Sequence, residues 1–139
     1  MGIPKTRRTP APFPEGNLYM TNIKAIYTEI WKCTFKYEGR TSRIKYWIFT
    51  GIIISVVFLV PIILDEIFGY SSDFLDSMTA LVLIIHIPPL ISASVRRIHD
   101  INKSGYYYVL WVLIPIIGLV QSVMPGTQGN NRFGEPDAS

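Results

Sequence analysis

A chain of 139 residues that is 49% hydrophobic with a net charge of +3 is one domain by length and too apolar for a soluble domain of that size. Its one cysteine, Cys33, excludes an intramolecular disulfide and a multi-cysteine metal site, and reads as a free cytoplasmic thiol. The basic balance would suit nucleic acid, but no recognition motif accompanies it, so no nucleic-acid partner is expected.

Residues 1–19 carry four prolines and Arg7-Arg8 among few apolar side chains, which predicts a disordered arm. Gly2 to Thr6 fits a myristoylation pattern and Arg7-Arg8 resembles a twin-arginine signal. No apolar run follows, so both read as chance, and Met20 is a credible alternative start. From Thr21 to Phe35, the residues Ile23, Ile26, Tyr27, Ile30, Trp31 and Phe35 recur at helical spacing opposite Lys24, Glu29, Lys32 and Lys36. That pattern predicts an amphipathic helix in the headgroup layer, with packing on a partner or on the protein's own loop as the competing reading.

Tyr46 to Leu64 is uncharged over 19 residues, about 28 Å of helix against a hydrocarbon core of about 30 Å. This is the first predicted span, opened by Tyr46, Trp47 and Phe49, with Gly51 and Ser55 as a small-residue face. Asp65, Glu66, Asp73 and Asp76 then form an acidic loop without Lys or Arg. A second span is predicted over about 78–95, interrupted by His86 and Pro88-Pro89. The third, 106–124, is uncharged and holds Pro115, Gly118 and Ser122. Residues 125–139 read as a polar tail. The expected fold class is an all-α integral membrane protein, three transmembrane helices preceded by an amphipathic interfacial helix.

Nine Lys/Arg precede the first span, none lie in 65–77, three lie in 96–105, and Arg132 stands alone in the tail. Three crossings put twelve of the thirteen on one side, which the positive-inside rule makes cytoplasmic, with the N-terminus inside and the C-terminus outside. Whether that tail folds back on the protein or meets another is open from sequence.

Arg40, Arg43, Arg96 and Arg97 flank the first two spans at one depth, with Lys103 nearby. Guanidinium forks match phosphate oxygens, so these residues are candidates for binding anionic lipid or another anion. The competing reading is that they hold topology and cap helix ends. Asp100 follows Arg96 by four residues, a pairing distance on a helix, and with His99 it reads as a structural polar network. A metal centre would need more ligands than His99 and Asp100 supply, so none is expected. His86 is the one ionisable group inside a span, either part of an ion pathway or a neutral packing residue. No catalytic triad, phosphate loop or cofactor motif can be assembled, so neither catalysis nor a cofactor is expected.

Two blocks are distinctive together: Phe35-x-x-x-Gly39-Arg40-x-Ser42-Arg43-x-x-Tyr46-Trp47, and Pro89-x-x-x-x-x-Val95-Arg96-Arg97-Ile98-His99-Asp100-x-x-Lys103-Ser104-Gly105 leading to Ile114-Pro115-x-x-Gly118. With Gly129-x-Asn131-Arg132-Phe133-Gly134, they resemble the bacterial family called domain of unknown function 805, small inner-membrane proteins. Tyr106 stands where that family usually has Trp. The resemblance covers about 21–136 and implies a location in the bacterial cytoplasmic membrane, but no activity. The reading is thus a non-enzymatic binding or scaffold protein contacting anionic lipid or a protein partner through its arginines. The alternative is a small homo-oligomeric transporter or channel using His86 and the proline-interrupted helices.

Overall fold

The computed structural model describes residues 23–137, so the expected N-terminal arm and the question of Met20 lie outside the described residues. Among these, five helices follow in order: α1 Ile23–Lys32, α2 Arg43–Phe68, α3 Ser72–Asp100, α4 Tyr107–Leu113 and α5 Pro115–Val123. The protein is all-α, and α2 and α3 are the two helices long and apolar enough to cross a membrane.

α2 starts where the Ser42 hydroxyl accepts the Lys45 backbone N–H at 3.4 Å, and stops at Gly69, whose φ of 62° closes the helix by an N–H bond to the Asp65 carbonyl. A short turn then sends α3 back antiparallel. Both helices run past the predicted spans, so Asp65 and Glu66 lie on the end of α2 while Asp73 and Asp76 lie on the start of α3. The expected acidic loop is therefore two acidic helix ends, with Asp73 favourably placed at a helix N-terminus. Two residues past the end of α3, Asn102 takes a left-handed φ of 58°, allowing the Lys103 N–H to reach the Ile98 carbonyl.

Packing is concentrated where α2 begins and α3 finishes. Tyr46, Phe49 and Ile53 of α2 meet Ala93 and Ile98 of α3, Trp111 of α4, and Ile26 and Ile30 of α1. Toward the other end, side chains such as Phe58, Ile62, Ile84 and Ile87 are exposed, the pattern of helices whose outer surface meets lipid rather than protein. The expected orientation of α1 is corrected here: Ile26 and Ile30, one turn apart, are buried on the protein's own α2–α3 hairpin. Tyr27 and Phe49 lie with ring centroids 5.5 Å apart, and Lys45 bonds Glu29 at 3.1 Å across the same seam.

The third apolar run is where structure and expectation part. No continuous helix forms over 106–124; α4 and α5 are about 10 Å and 14 Å long, each too short for a hydrocarbon core. Ile114, preceding Pro115, takes φ −132° and ψ 83°, outside the helical region. The two helices then fold against each other. The Trp111 indole N–H reaches the Gln121 side-chain oxygen at 3.1 Å, whereas in a straight helix ten residues would separate them by about 15 Å. Gly118 permits the closure, because a Cβ there would stand 3.0–3.2 Å from Trp111 atoms. Pro61, Pro88 and Pro89, by contrast, sit inside unbroken helices.

The return of α5 brings the tail to the end of the bundle where α2 starts and α3 stops. The Ser42 backbone N–H bonds Asp137 at 2.9 Å, the Thr127 N–H bonds the Asp100 carbonyl at 2.8 Å, and Lys45 pairs with Asp137 at 2.7 Å. The expectation that tail and basic loop face opposite sides is therefore corrected: they pack on each other.

Candidate functional site

The residues expected to gather as an anion site are gathered, but two of them are already occupied. Asp100, the last residue of α3, sits between Arg40 from the segment before α2 and Arg97 one turn upstream. Arg40 Nε donates to Asp100 Oδ1 at 2.9 Å, with its Nη2 2.8 Å from the same oxygen; Arg97 Nη1 donates to Asp100 Oδ2. The expected partner of Asp100 was Arg96, so this pairing is a correction. Arg97 wins because α5 completes its hydrogen bonding, with Nε on the Ser122 carbonyl at 3.1 Å and Nη2 on the Met124 carbonyl.

Arg40 is completed by the tail, donating to the Gly129 carbonyl at 2.7 Å and to the carbonyl of Thr127. Arg97 is 0% exposed and Arg40 8%. Two cations and one anion in so dry a place leave a net positive charge, which is tolerable only because backbone carbonyl oxygens take the remaining donors. Gly126 makes room for this: a Cβ there would collide with the Asp100 carboxylate. The cluster is thus a latch joining the start of α2, the end of α3, the α4–α5 hairpin and the tail.

The other candidates divide. Arg96 is buried on the side facing the 33–41 segment, its carbonyl accepting from the Thr41 N–H at 3.1 Å and its Nε reaching the Ser92 carbonyl at 3.4 Å. Its Nη2 is buried without a partner. Arg43 is exposed and makes one long bond, to the Val123 carbonyl at 3.3 Å. Lys103 lies over the Tyr107 ring, 4.7 Å from its centroid.

His99 stacks on Phe133 at 3.8 Å between centroids and 5° between planes, and its Nδ1–H donates to the Gly39 carbonyl at 3.2 Å. It lies beyond the apolar part of α3. Burial holds its imidazole below the ordinary value; the Gly39 bond opposes that shift and Arg132 adds to it. Asn131 ties the tail again, donating to the His99 carbonyl at 2.9 Å.

His86 stands apart from this latch. Its Nδ1–H donates to the Val82 carbonyl at 2.7 Å, leaving Nε2 to accept the Tyr27 hydroxyl at 2.8 Å. Both ring nitrogens of the neutral form are satisfied, which is the geometry of a packing residue. The small residues of the apolar runs also differ: Ser122 is buried within the fold and Gly118 meets Trp111, whereas Gly51 has open space around its Cβ position.

Sequence reasoning missed the tail's side of the latch. Thr127, Gly129, Asn131 and Asp137 lie in a stretch without periodicity, and the signal that could have found them was the Gly129-x-Asn131-Arg132-Phe133-Gly134 block.

Comparison with known proteins bears on the same stretch. Two relatives are inner membrane proteins of Escherichia coli (strain K12). YhaI is 30% identical over 112 residues, covering 78% of this chain and 91% of its own; YhaH is 32% identical over 117 residues, covering 80% and 93%. No solved structure matches. The family described as Protein of unknown function (DUF805) matches residues 34–135, from just after α1 to just past Gly134, and so encloses Arg40, Asp100 and the tail carbonyls that complete the latch. The chain belongs to the DUF805 family and is an inner membrane protein.

Proposed function

We propose that this protein is a non-enzymatic binding or scaffold protein of the inner membrane, whose basic end faces the cytoplasm and holds the headgroup of an anionic lipid. The observation that carries this reading is Arg43. Its exposed guanidinium stands at the rim of a cleft of about 690 Å³ walled by Ile44, Trp47, Ile48 and Val123. An acyl chain along those apolar walls would set a phosphate beside donors that Arg43 does not spend within the protein. Arg40 and Arg97 are buried, their guanidinium groups turned to Asp100 and to backbone carbonyls.

In this arrangement α2 and α3 cross the bilayer, while the α4–α5 hairpin enters and leaves on the cytoplasmic side. Charge supports it. Every Lys and Arg of the sequence lies outside 46–95, so two crossings put all thirteen on the cytoplasmic side, Arg132 included. Four acidic residues and no cation lie in 65–77, at the other end.

Native mass spectrometry from mild detergent, after exposure to phosphatidylglycerol or phosphatidylcholine, tests the reading. The wild type is expected to retain phosphatidylglycerol preferentially, and Arg43→Gln to lose that preference with unfolding temperature unchanged. Equal retention of both lipids, or the same preference in Arg43→Gln, would remove it.

A further inference from the structure

A second cavity, of about 590 Å³, opens between α2, α3 and the α4–α5 hairpin, a size typical of small-molecule sites. Its mouth is among Val112, Ile116 and Leu119, which are 62%, 61% and 51% exposed, so it opens on the apolar outer surface. Tyr46, Trp47, Tyr108 and Trp111 supply aromatic walls, and none of the lining residues is charged.

The donors in this cavity are hydroxyls. Both indole N–H groups are used elsewhere, Trp47 on the Ser122 carbonyl at 3.3 Å and Trp111 on Gln121 at 3.1 Å. Thr50 Oγ1 is sealed off from the space, whereas the hydroxyls of Ser94 and Tyr108 line it and make no hydrogen bond among the described residues. Several helical hydroxyls in this protein are satisfied, Thr28 on the Lys24 carbonyl at 2.7 Å, Ser77 on the Asp73 carbonyl at 2.7 Å and Ser92 on the Cys33 carbonyl at 2.8 Å. Ser94 and Tyr108 leave their hydroxyls unpaired on an apolar space, which is costly unless a ligand supplies the acceptor.

The ligand's chemistry follows from these donors. With no countercharge in the lining, an ionised head would be buried unpaired, so the head is neutral. It must carry acceptors for hydroxyl donors, and a flat ring suits walls of Tyr and Trp. It must also be lipid-soluble, since the mouth faces the bilayer. We propose that this cavity binds the ring of a lipid-soluble para-quinone, its carbonyls accepting from Ser94 and Tyr108 and its isoprenoid tail leaving between Val112, Ile116 and Leu119. This is a binding site only, and it does not depend on the Arg43 cleft.

The test uses the full chain in phosphatidylcholine nanodiscs, titrated with a dimethoxy-methyl-benzoquinone bearing one isoprenoid unit. Trp31, which is outside the cavity, is replaced by Phe so that quenching reports Trp47 and Trp111. Saturable quenching is expected, with Kd raised on the order of tenfold or more by Ser94→Ala and Tyr108→Phe together. If that double variant does not fold, Tyr108→Phe alone decides, with a smaller weakening expected at unchanged unfolding temperature. Quenching that rises linearly without saturating would overturn the proposal, as would a Kd indifferent to the hydroxyls. Loss of quenching when phosphatidylglycerol replaces part of the phosphatidylcholine would show that an anionic headgroup competes for the cavity and would overturn it equally.

Discussion

Arg40 and Asp100, 60 residues apart in the chain, are joined by a buried ion pair at 2.8 Å, and that pair closes the basic end of the bundle. Because Arg97 shares the same carboxylate, removing the acid leaves two buried cations. Asp100→Asn is therefore expected to destabilise the fold by about 3–5 kcal/mol, read by unfolding in detergent. The tail after Pro125 should become cleavable by added protease. Arg40→Met with Asp100→Leu should cost less than the sum of the single changes.

Gly118 and Trp111 hold the hairpin shut. Gly118→Leu is expected to force α5 away from α4 at a cost of about 1–3 kcal/mol, lowering the unfolding temperature and changing Trp111 emission. Gly51→Leu, at a glycine whose Cβ position is open, should leave both nearly unchanged.

The returning hairpin makes a topological prediction. In a Cys33→Ser background, a membrane-impermeant thiol reagent applied outside the cell should label Ser71→Cys but not Glu135→Cys, until the membrane is permeabilised. External labelling of Glu135→Cys would restore the three-crossing scheme.

His99 makes the tail contact sensitive to acid. Its imidazole is held below the ordinary value near 6.5, so the unfolded chain takes up a proton at pH values where the folded chain does not. Stability should thus fall as pH drops below about 6.5. His99→Gln should flatten that limb of the profile, measured as unfolding temperature between pH 7.5 and 5.

Hydropathy and charge are local properties, and what depends on them was legible in the amino-acid sequence. The uncharged run after Tyr46 and the apolar run around His86 determine two long helices by length and composition. The cations flanking them determine which end is basic, and Asp100 at the end of the second run determines a polar network there. Apolar composition could not determine whether 106–124 runs as one helix, because a straight helix and a hairpin have the same hydropathy. That choice rests on Trp111 meeting Gly118 and Gln121 across a bend at Ile114, a contact between separate helices. The same holds for the arginines. Five basic residues divide into Arg40 and Arg97, buried on Asp100 and backbone carbonyls, a buried Arg96 with one nitrogen unpartnered, and exposed or half-exposed Arg43 and Lys103. The division depends on which carbonyls the returning tail presents. Only the tertiary structure decided this, because those acceptors lie 25 to 94 residues away in the chain and carry no pattern that a local reading detects.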